Sequence, residues 1–441
     1  MNTPANQNNH NAFPAPRGTG PLNVLVVGEL ARDSILYHSD LNTVADFKAT
    51  RQDYIKETGG GGGNVAMNLN ALIDAMGLNA EITLVTKIGT PADDYLVRDK
   101  VLTDLQACHN ITEIIDLAEQ LPHRVADNII IAYGKGRFVS KDHLAQSFKW
   151  LSEGKGKPQT GTLHNTQILE KLVEKADIIS LQSNDPDLAS QITRLARQQG
   201  KPVVMDYSIS DRTVAEKFDD ILPDCFSILA PGEAVLSGEN PNKLRTTLSK
   251  VFRESSMEKV EGLMSLVSHM ATSLKGAVSK IQHSEPLRKS ALNASLHMIK
   301  EKLSTAENFD NAKYLYNESV RRYPDVSLIS ISDGAKPVAI HALGEDSIYP
   351  IKKVDNVTCQ LGTGDARTAA LVADLLYKMQ NNITLSQDSL QDSVAFASDV
   401  ASLSVQYRAK SWHEALPAFI LAQNRYAPAR ETPPAPQELT L

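Results

Sequence analysis

Short apolar runs alternate with longer amphipathic segments along most of the chain. Runs rich in β-branched residues, typical of strands buried on both faces of a parallel sheet, occur at 23–28, 80–89, 176–181, 201–206, 224–231 and 326–331. Segments with helical spacing lie between or after them, as at 65–72, 168–174, 188–199, 366–379 and 389–407. This alternation predicts an α/β fold with a mostly parallel sheet covered by helices.

Four parts of the sequence depart from that alternation. Residues 34–58 mix polar and apolar positions, and residues 120–140 predict two strands joined by a hairpin turn at 134–136. The runs at 339–342 and 347–350 predict an antiparallel excursion, whereas residues 240–322 predict a helical insertion. Residues 1–20 and the Pro-rich 426–441 are expected to be disordered tails, which leaves one domain over 21–425.

Composition and charge narrow the class of protein. The 441 residues carry a net charge of −7, so no basic excess indicates nucleic-acid binding. The chain shows no apolar run long enough for a membrane span and no secretory signal, so we expect a cytoplasmic protein with no membrane partner. The three cysteines are far apart, which argues against a disulfide framework or a cysteine-based metal cluster.

The first candidate site is Leu361–Asp365, directly before an Ala/Leu-rich segment that predicts a helix. Gly362, Thr363 and Gly364 would place backbone N–H groups at the positive end of that helix, which favours a phosphate. A carboxylate repels phosphate, so Asp365 makes chemical sense there as a base that takes a proton from an attacking hydroxyl. The alternative is that Asp365 is an ordinary helix N-cap.

A second candidate site combines a glycine run with two polar residues. Five glycines at 59–63 precede Asn64 and a predicted helix, which indicates close approach of a ligand to the backbone; a simple linker is the alternative. Asp33 follows the first predicted strand at its carboxyl end, where open α/β sheets bind ligands. It could accept hydrogen bonds from substrate hydroxyls or be a solvated turn carboxylate.

The order of these motifs resembles the ribokinase-like (PfkB) family of carbohydrate kinases. A strand with Gly-x-x-x-x-Asp is followed by a Gly-rich turn ending in Asn-Val-Ala-Met-Asn, and Gly-Thr-Gly-Asp comes near the end. The Asn64–Asn68 segment is most similar to the bacterial heptose-phosphate kinases. The resemblance covers about 22–425, apart from insertions near 141–165 and 240–322. It implies a three-layer α/β/α sandwich with a small β lid, formed by residues near 34–58 and 120–140.

The resemblance implies ATP-dependent transfer of a phosphoryl group to a hydroxyl of a sugar or sugar phosphate, with Mg²⁺. Asp365 corresponds to the catalytic base, and Gly362, Thr363 and Gly364 correspond to the anion hole. The residues corresponding to the sugar site are Asp33, Gly60, Gly61 and Asn64, and those near the nucleotide are Ser332 and Gly334. A phosphorylated sugar would call for basic residues on the lid; the candidates are Lys56, Arg124 and Arg137, each of which could instead be a solvated surface charge.

Several positions depart from the family pattern. Cys359 and Gln360 stand where the family has Asp-Thr, and Gly232 and Val235 stand where it has Asn and Glu. Arg367 replaces an aromatic or polar residue, so a buried guanidinium there would need a partner. The departures keep open a catalytically degenerate kinase fold that binds a ligand or regulates a partner. Strand edges in the lid could form a homodimer, and the helical insertion could bind a protein. Dinucleotide binding is disfavoured because Val27–Leu30 lacks G-x-G-x-x-G.

Overall fold

The computed structural model describes most of the predicted domain but leaves several segments out. The described residues are 20–38, 53–88, 95–117, 125–133, 136–140, 166–182, 185–209, 212–232, 234, 311–352, 354, 357–358, 361–408, 410–423 and 426. Side chains are not described at 34, 36–38, 53–54, 95–97, 126–140, 212–213 and 311–314.

A nine-stranded sheet forms the centre of the fold, with the strand order β13-β12-β11-β10-β9-β8-β1-β4-β5. Its strands are β1 Leu22–Gly28, β4 Ala80–Thr86, β5 Ile111–Asp116, β8 Ile178–Gln182, β9 Val203–Asp206, β10 Ser227–Pro231, β11 Leu328–Ser332, β12 Val338–Ala342 and β13 Glu345–Tyr349. All neighbours pair in parallel except β11–β12 and β12–β13. The predicted parallel sheet and its antiparallel excursion are confirmed.

A second sheet of four strands, called the lid sheet below, has the order β3-β2-β6-β7. Its strands are β2 Ala31–His38, β3 Asp53–Gly59, β6 Ala126–Tyr133 and β7 Gly136–Ser140. Strand β2 begins three residues after β1 ends, so the lid sheet grows from the carboxyl edge of the central sheet. The strands predicted within 34–58 and 120–140 therefore exist, although residues 39–52 and 118–124 lie outside the described part.

Helices cover both faces of the central sheet. They are α1 Gly61–Met76, α2 Tyr95–Gln106, α3 Thr166–Lys175, α4 Pro186–Gln198, α5 Asn311–Arg322, α6 Thr363–Gln380, α7 Gln387–Ser404 and α8 Leu416–Ala422. Alternate residues of β1 point to opposite faces, so Val26 packs with helices α1, α6 and α7 while Val27 packs with α3 and α4. Two separate apolar cores result, which gives the predicted α/β/α sandwich.

Two predicted boundaries differ from the structure. Helix α5 lies inside the predicted insertion, but its Leu315 is buried in the core on one face of the central sheet. This helix therefore belongs to the sandwich, and residues 240–310 of the insertion lie outside the described part. Tyr426, assigned to the tail, is buried with its ring 4.8 Å from that of Tyr377 and 5.0 Å from that of Phe396. The sequence analysis also missed β5 and α8.

Candidate active site

Helix α6 begins at an open glycine turn. Gly362 is the N-cap with φ 71°, a left-handed conformation that favours glycine, and no side chain caps the helix. The first intrahelical hydrogen bond runs from Ala366 N to the Gly362 carbonyl (2.8 Å), so the amides of Gly364 and Asp365 precede it. Asp365 is the third residue of the helix, and the N-cap alternative for this side chain is wrong.

Helix α1 begins at the glycine run, and there the chain itself fills the space beside the glycines. Gly60 is the N-cap with φ 78°. A Cβ on Gly62 would lie 2.6 Å from the backbone of Gly28, and one on Gly59 would lie 1.9 Å from the Asp33 carboxylate. The linker alternative is therefore wrong. At Gly59 and Gly62 the group that approaches the backbone belongs to the protein, and the approach of a ligand to this turn stays a prediction.

The two helix starts meet through one hydrogen bond. Asn64 Nδ2 donates to Asp365 Oδ2 at 2.8 Å, although 301 positions separate these residues in the sequence. Asp33 is 5% exposed, and its carboxylate lies against Gly59, immediately before the α1 start. The structure thus brings together Asp33, Asn64 and Asp365, as the sequence analysis expected.

Asp365 lies in a strongly acidic environment. Burial raises the pKa of its carboxyl group to about 7, and the carboxylate of Asp206, at the end of β9, adds to this effect. The hydrogen bond from Asn64 and the charge of Lys410 lower the pKa, and Asp33 raises it slightly. A carboxylate with a pKa near 7 suits a general base that works at neutral pH.

A buried arginine lies two residues after Asp365 on helix α6. Arg367 is 6% exposed, and its guanidinium donates to the hydroxyl of Ser332 (3.0 Å) and to that of Ser330. Its Nε has no hydrogen-bond partner among the described residues. Burial lowers the pKa of Arg367 to about 10, and Asp206 opposes this shift, so the group stays cationic at neutral pH. The buried guanidinium of Arg367 thus has hydrogen-bond partners, as the sequence analysis required, and they are mainly serine hydroxyls.

A second cation approaches from the lid side, and the sequence analysis missed it. Lys410 Nζ lies 3.3 Å from Glu57 Oε1 and donates to the carbonyl of Thr58, both on β3. Burial raises the pKa of Glu57, and Lys410 counteracts that rise. Lys410 belongs to no local motif, so only the tertiary structure reveals it. Asp206 had a signal, an acid at the end of a predicted strand, but was given no role.

The other residues predicted for the site make no described contact with Asp365. Gly334 lies in an exposed turn with φ 56°, two residues after Ser332, whose carbonyl accepts a hydrogen bond from Gly232 N (2.7 Å). Lys56 is exposed and alternates with Glu57, so it points to the face of β3 away from Asp33. Gly61 is half-buried beside Gln182. Several predicted positions are not described, either wholly or in their side chains: Arg124, Arg137, Val235, Cys359 and Gln360.

Two further findings concern metals and membranes. Across the described ranges, no three His, Cys, Asp or Glu side chains are grouped so that they could hold a metal ion. None of the helices in that part of the chain is long and apolar enough to cross a bilayer.

Comparisons with known proteins agree on the fold. No family model matches the sequence, and no curated protein matches it either. Among solved structures, the ribokinase from Giardia lamblia superposes with a TM-score of 0.55 at 13% identity, over 91% of this chain and 99% of that one. The ATP-bound fructokinase from Xylella fastidiosa gives 0.51 at 12% identity, also over 91% and 99%. The chain therefore has the ribokinase-like α/β/α fold.

Proposed function

We propose that the protein is an ATP-dependent kinase that phosphorylates a hydroxyl of a sugar or sugar phosphate. The observation that carries the proposal is the position of Asp365. Its carboxylate lies at the open start of α6, is held by Asn64 and shares its electrostatic environment with Asp33. The similarity of fold to ribokinase and fructokinase structures supports the same reaction class.

Asp365 acts as the general base in this proposal. Its Oδ2 accepts the hydrogen bond from Asn64, which leaves Oδ1 to take the proton of the acceptor hydroxyl. The acceptor oxygen then forms a bond to the γ-phosphorus of ATP while the bond to the ADP oxygen breaks. Because the pKa of Asp365 is about 7, the base is largely protonated below neutral pH and the rate should fall there.

The start of α6 provides the anion hole. The N–H groups of Thr363, Gly364 and Asp365 would donate to the phosphoryl oxygens, and no described atom beyond the adjoining residues and the first turn of α6 lies within 4 Å of a Cβ built on Gly364. ATP would supply the phosphoryl group, and Mg²⁺ bound with it would neutralise charge on the phosphoryl oxygens. Ser332 and Gly334 would lie on the nucleotide side.

The lid sheet and the start of α1 provide the acceptor side. Asp33 would accept hydrogen bonds from sugar hydroxyls, near the backbone of Gly60 and Gly61 and the side chain of Asn64. A heptose phosphate is the acceptor that the Asn64–Asn68 motif favours. Arg124 stays the candidate for its phosphate, and a homodimer through the lid stays a prediction.

A phosphorylation screen tests the proposal. Wild-type protein with ATP and Mg²⁺ is assayed on a panel of sugars and sugar phosphates beside Asp365→Asn. We expect turnover of at least one acceptor and a loss of about 10³-fold in kcat in the variant, because the base is removed. Circular dichroism and thermal melting check that the variant folds. Retained turnover in a folded Asp365→Asn protein would show that Asp365 is not the base.

The alternative is a kinase fold that binds a ligand or partner without turnover. It is favoured by Gly232, which stands where the resembling family has a polar side chain, and by the buried Arg367. Calorimetry with ATP and Mg²⁺ distinguishes the kinase proposal from this alternative, because it measures whether the protein binds nucleotide. A wild-type protein that neither binds ATP nor phosphorylates any acceptor supports the alternative.

A further inference from the structure

The segment after helix α7 carries Lys410 into the candidate site. Its side chain is only 14% exposed, against 77% for the surface Lys352. The ammonium group donates to the Thr58 carbonyl and lies 3.3 Å from Glu57 Oε1. A lysine in this position loses much of its hydration, and the contacts with β3 replace it.

Helix α1 fixes this segment relative to Asp365. His413 Nε2 pairs with Asn68 Oδ1 at 2.8 Å, and Trp412 beside it is 3% exposed. Burial and the charge of Lys410 lower the pKa of His413 to about 3, so its ring is neutral at physiological pH. Asn64 and Asn68 are four residues apart and therefore share one face of α1. One asparagine holds Asp365 and the other holds the Lys410 segment.

The charges around Asp365 are unbalanced without Lys410. Among the described residues, the carboxylates of Asp33 on β2 and Asp206 on β9 disfavour the ionised form of Asp365, and Lys410 favours it. Glu57 on β3 pairs with Lys410. Arg367 bonds to serines of β11, and the carboxylate whose charge acts on it is Asp206. Lys410 acts on Asp365 directly, and it also acts on Glu57.

Asp33 and Glu57 are cross-strand partners in the lid sheet. Their side chains therefore share a face, and Lys410 contacts the Glu57 member of that pair. The same cation thus binds the cross-strand neighbour of the proposed acceptor ligand Asp33, and its charge acts on the proposed base Asp365.

We propose that Lys410 is a positioning residue that favours the ionised form of Asp365 and links the base to lid strand β3. The inference rests on the proposed kinase function. Lys410 takes no proton during the reaction: the hydroxyl proton goes to Asp365, and the lysine stays an ammonium group that favours the ionised base between turnovers.

The test compares the pH dependence of kcat/KM for the acceptor in Lys410→Met and Lys410→Arg. In Lys410→Met we expect the midpoint of the acidic limb to rise by about one pH unit, which is about a tenfold loss at pH 6 that disappears near pH 9. Lys410→Arg keeps the charge and should stay within about 0.3 pH unit of wild type. Lys352→Met, an exposed lysine, is the matched control and should not move the midpoint.

Other outcomes overturn the inference. An unchanged midpoint in Lys410→Met, or equal losses at every pH, would show that Lys410 does not act through Asp365. If Lys410→Met does not fold, Lys410→Gln removes the charge while retaining a donor for Thr58.

A wild-type protein inactive on every acceptor would contradict the kinase proposal itself. In that case the effect of Asp365→Asn on the free energy of unfolding is measured against pH in two backgrounds, one with Lys410 and one with Lys410→Met. An identical pH dependence in both backgrounds would refute the role of Lys410.

Discussion

Helices α1 and α6 begin in the same way but in different surroundings. Each has a glycine N-cap with positive φ, 78° at Gly60 and 71° at Gly362, and neither is capped by a side chain. At α1 the glycines pack against β1 and the lid sheet, whereas at α6 a Cβ on Gly364 would have no described neighbour within 4 Å. The same sequence device therefore serves packing at α1, whereas at α6 the added Cβ meets no described part of the chain outside the local helix turn.

The difference teaches how a glycine run should be interpreted. The α1 start lies where β1 and β8 meet, so that Gly62 approaches Gly28 and Gly61 approaches Gln182. This close packing fixes the position of Asn64, whose side chain donates a hydrogen bond to Asp365. Packing glycines at α1 thus position the polar group that meets the open start of α6. Substituting glycines at the two sites separates stability from catalysis.

The largest expected effect is on stability, from Gly62→Ala. Its methyl group would lie 2.6 Å from the Gly28 backbone, which cannot move without displacing β1. We expect a loss of more than about 3 kcal/mol in the free energy of unfolding, measured by urea denaturation, or failure to accumulate folded protein.

Gly61→Ala is the matched control on the same helical turn. Its methyl group would lie 3.2 Å from Gln182 Cβ, a side-chain atom that can shift by a few tenths of an ångström. We expect a loss of no more than about 1 kcal/mol. Equal stability of Gly62→Ala and wild type would show that the α1 start is not tightly packed.

The next effect is on catalysis, from Gly364→Ala. Because no described atom lies near the added methyl group, the free energy of unfolding should change by less than about 0.5 kcal/mol. If phosphate approaches this backbone, the methyl group displaces it, and kcat should fall by about 100-fold, as for loss of one anion-hole donor. Steady-state kinetics and urea denaturation of the same preparation separate the two effects. Full activity in this variant would contradict an anion hole at Gly364.

Much of the fold was predictable because local patterns determine it. The β1 run is buried on both faces as expected, and helix α6 follows from its Ala/Leu-rich sequence. The pairing of Asn64 with Asp365 was predictable only through the order of motifs, since 301 positions separate them. The resemblance supplied what periodicity could not.

The rest of the site was not predictable because it depends on tertiary contacts. Lys410 reaches Glu57 across 353 positions of sequence, and neither residue lies in a recognisable motif. The glycine run indicated close approach, but the sequence does not say whether the approaching atom belongs to a ligand or to Gly28. Strand β5 was missed because its outward positions, such as Glu113, are polar.

The smallest expected effect concerns the charge where the two helix starts meet. With a pKa of about 7, folded Asp365 keeps its proton at pH 5 to 6, whereas the unfolded chain releases it near pH 4. The folded state then binds more protons, so its stability falls as pH rises from about 4 to 7 and levels off above pH 7.

Asp365→Asn removes this titration, so the variant should match wild type in pH dependence outside that window. Allowing for solvent at a half-buried group, it should gain about 2 kcal/mol relative to wild type between pH 4 and pH 8. Urea denaturation across this range measures the gain. If the free energies of unfolding of Asp365→Asn and wild type differ by the same amount at every pH, then water reaches this carboxylate as freely as it reaches one on the protein surface.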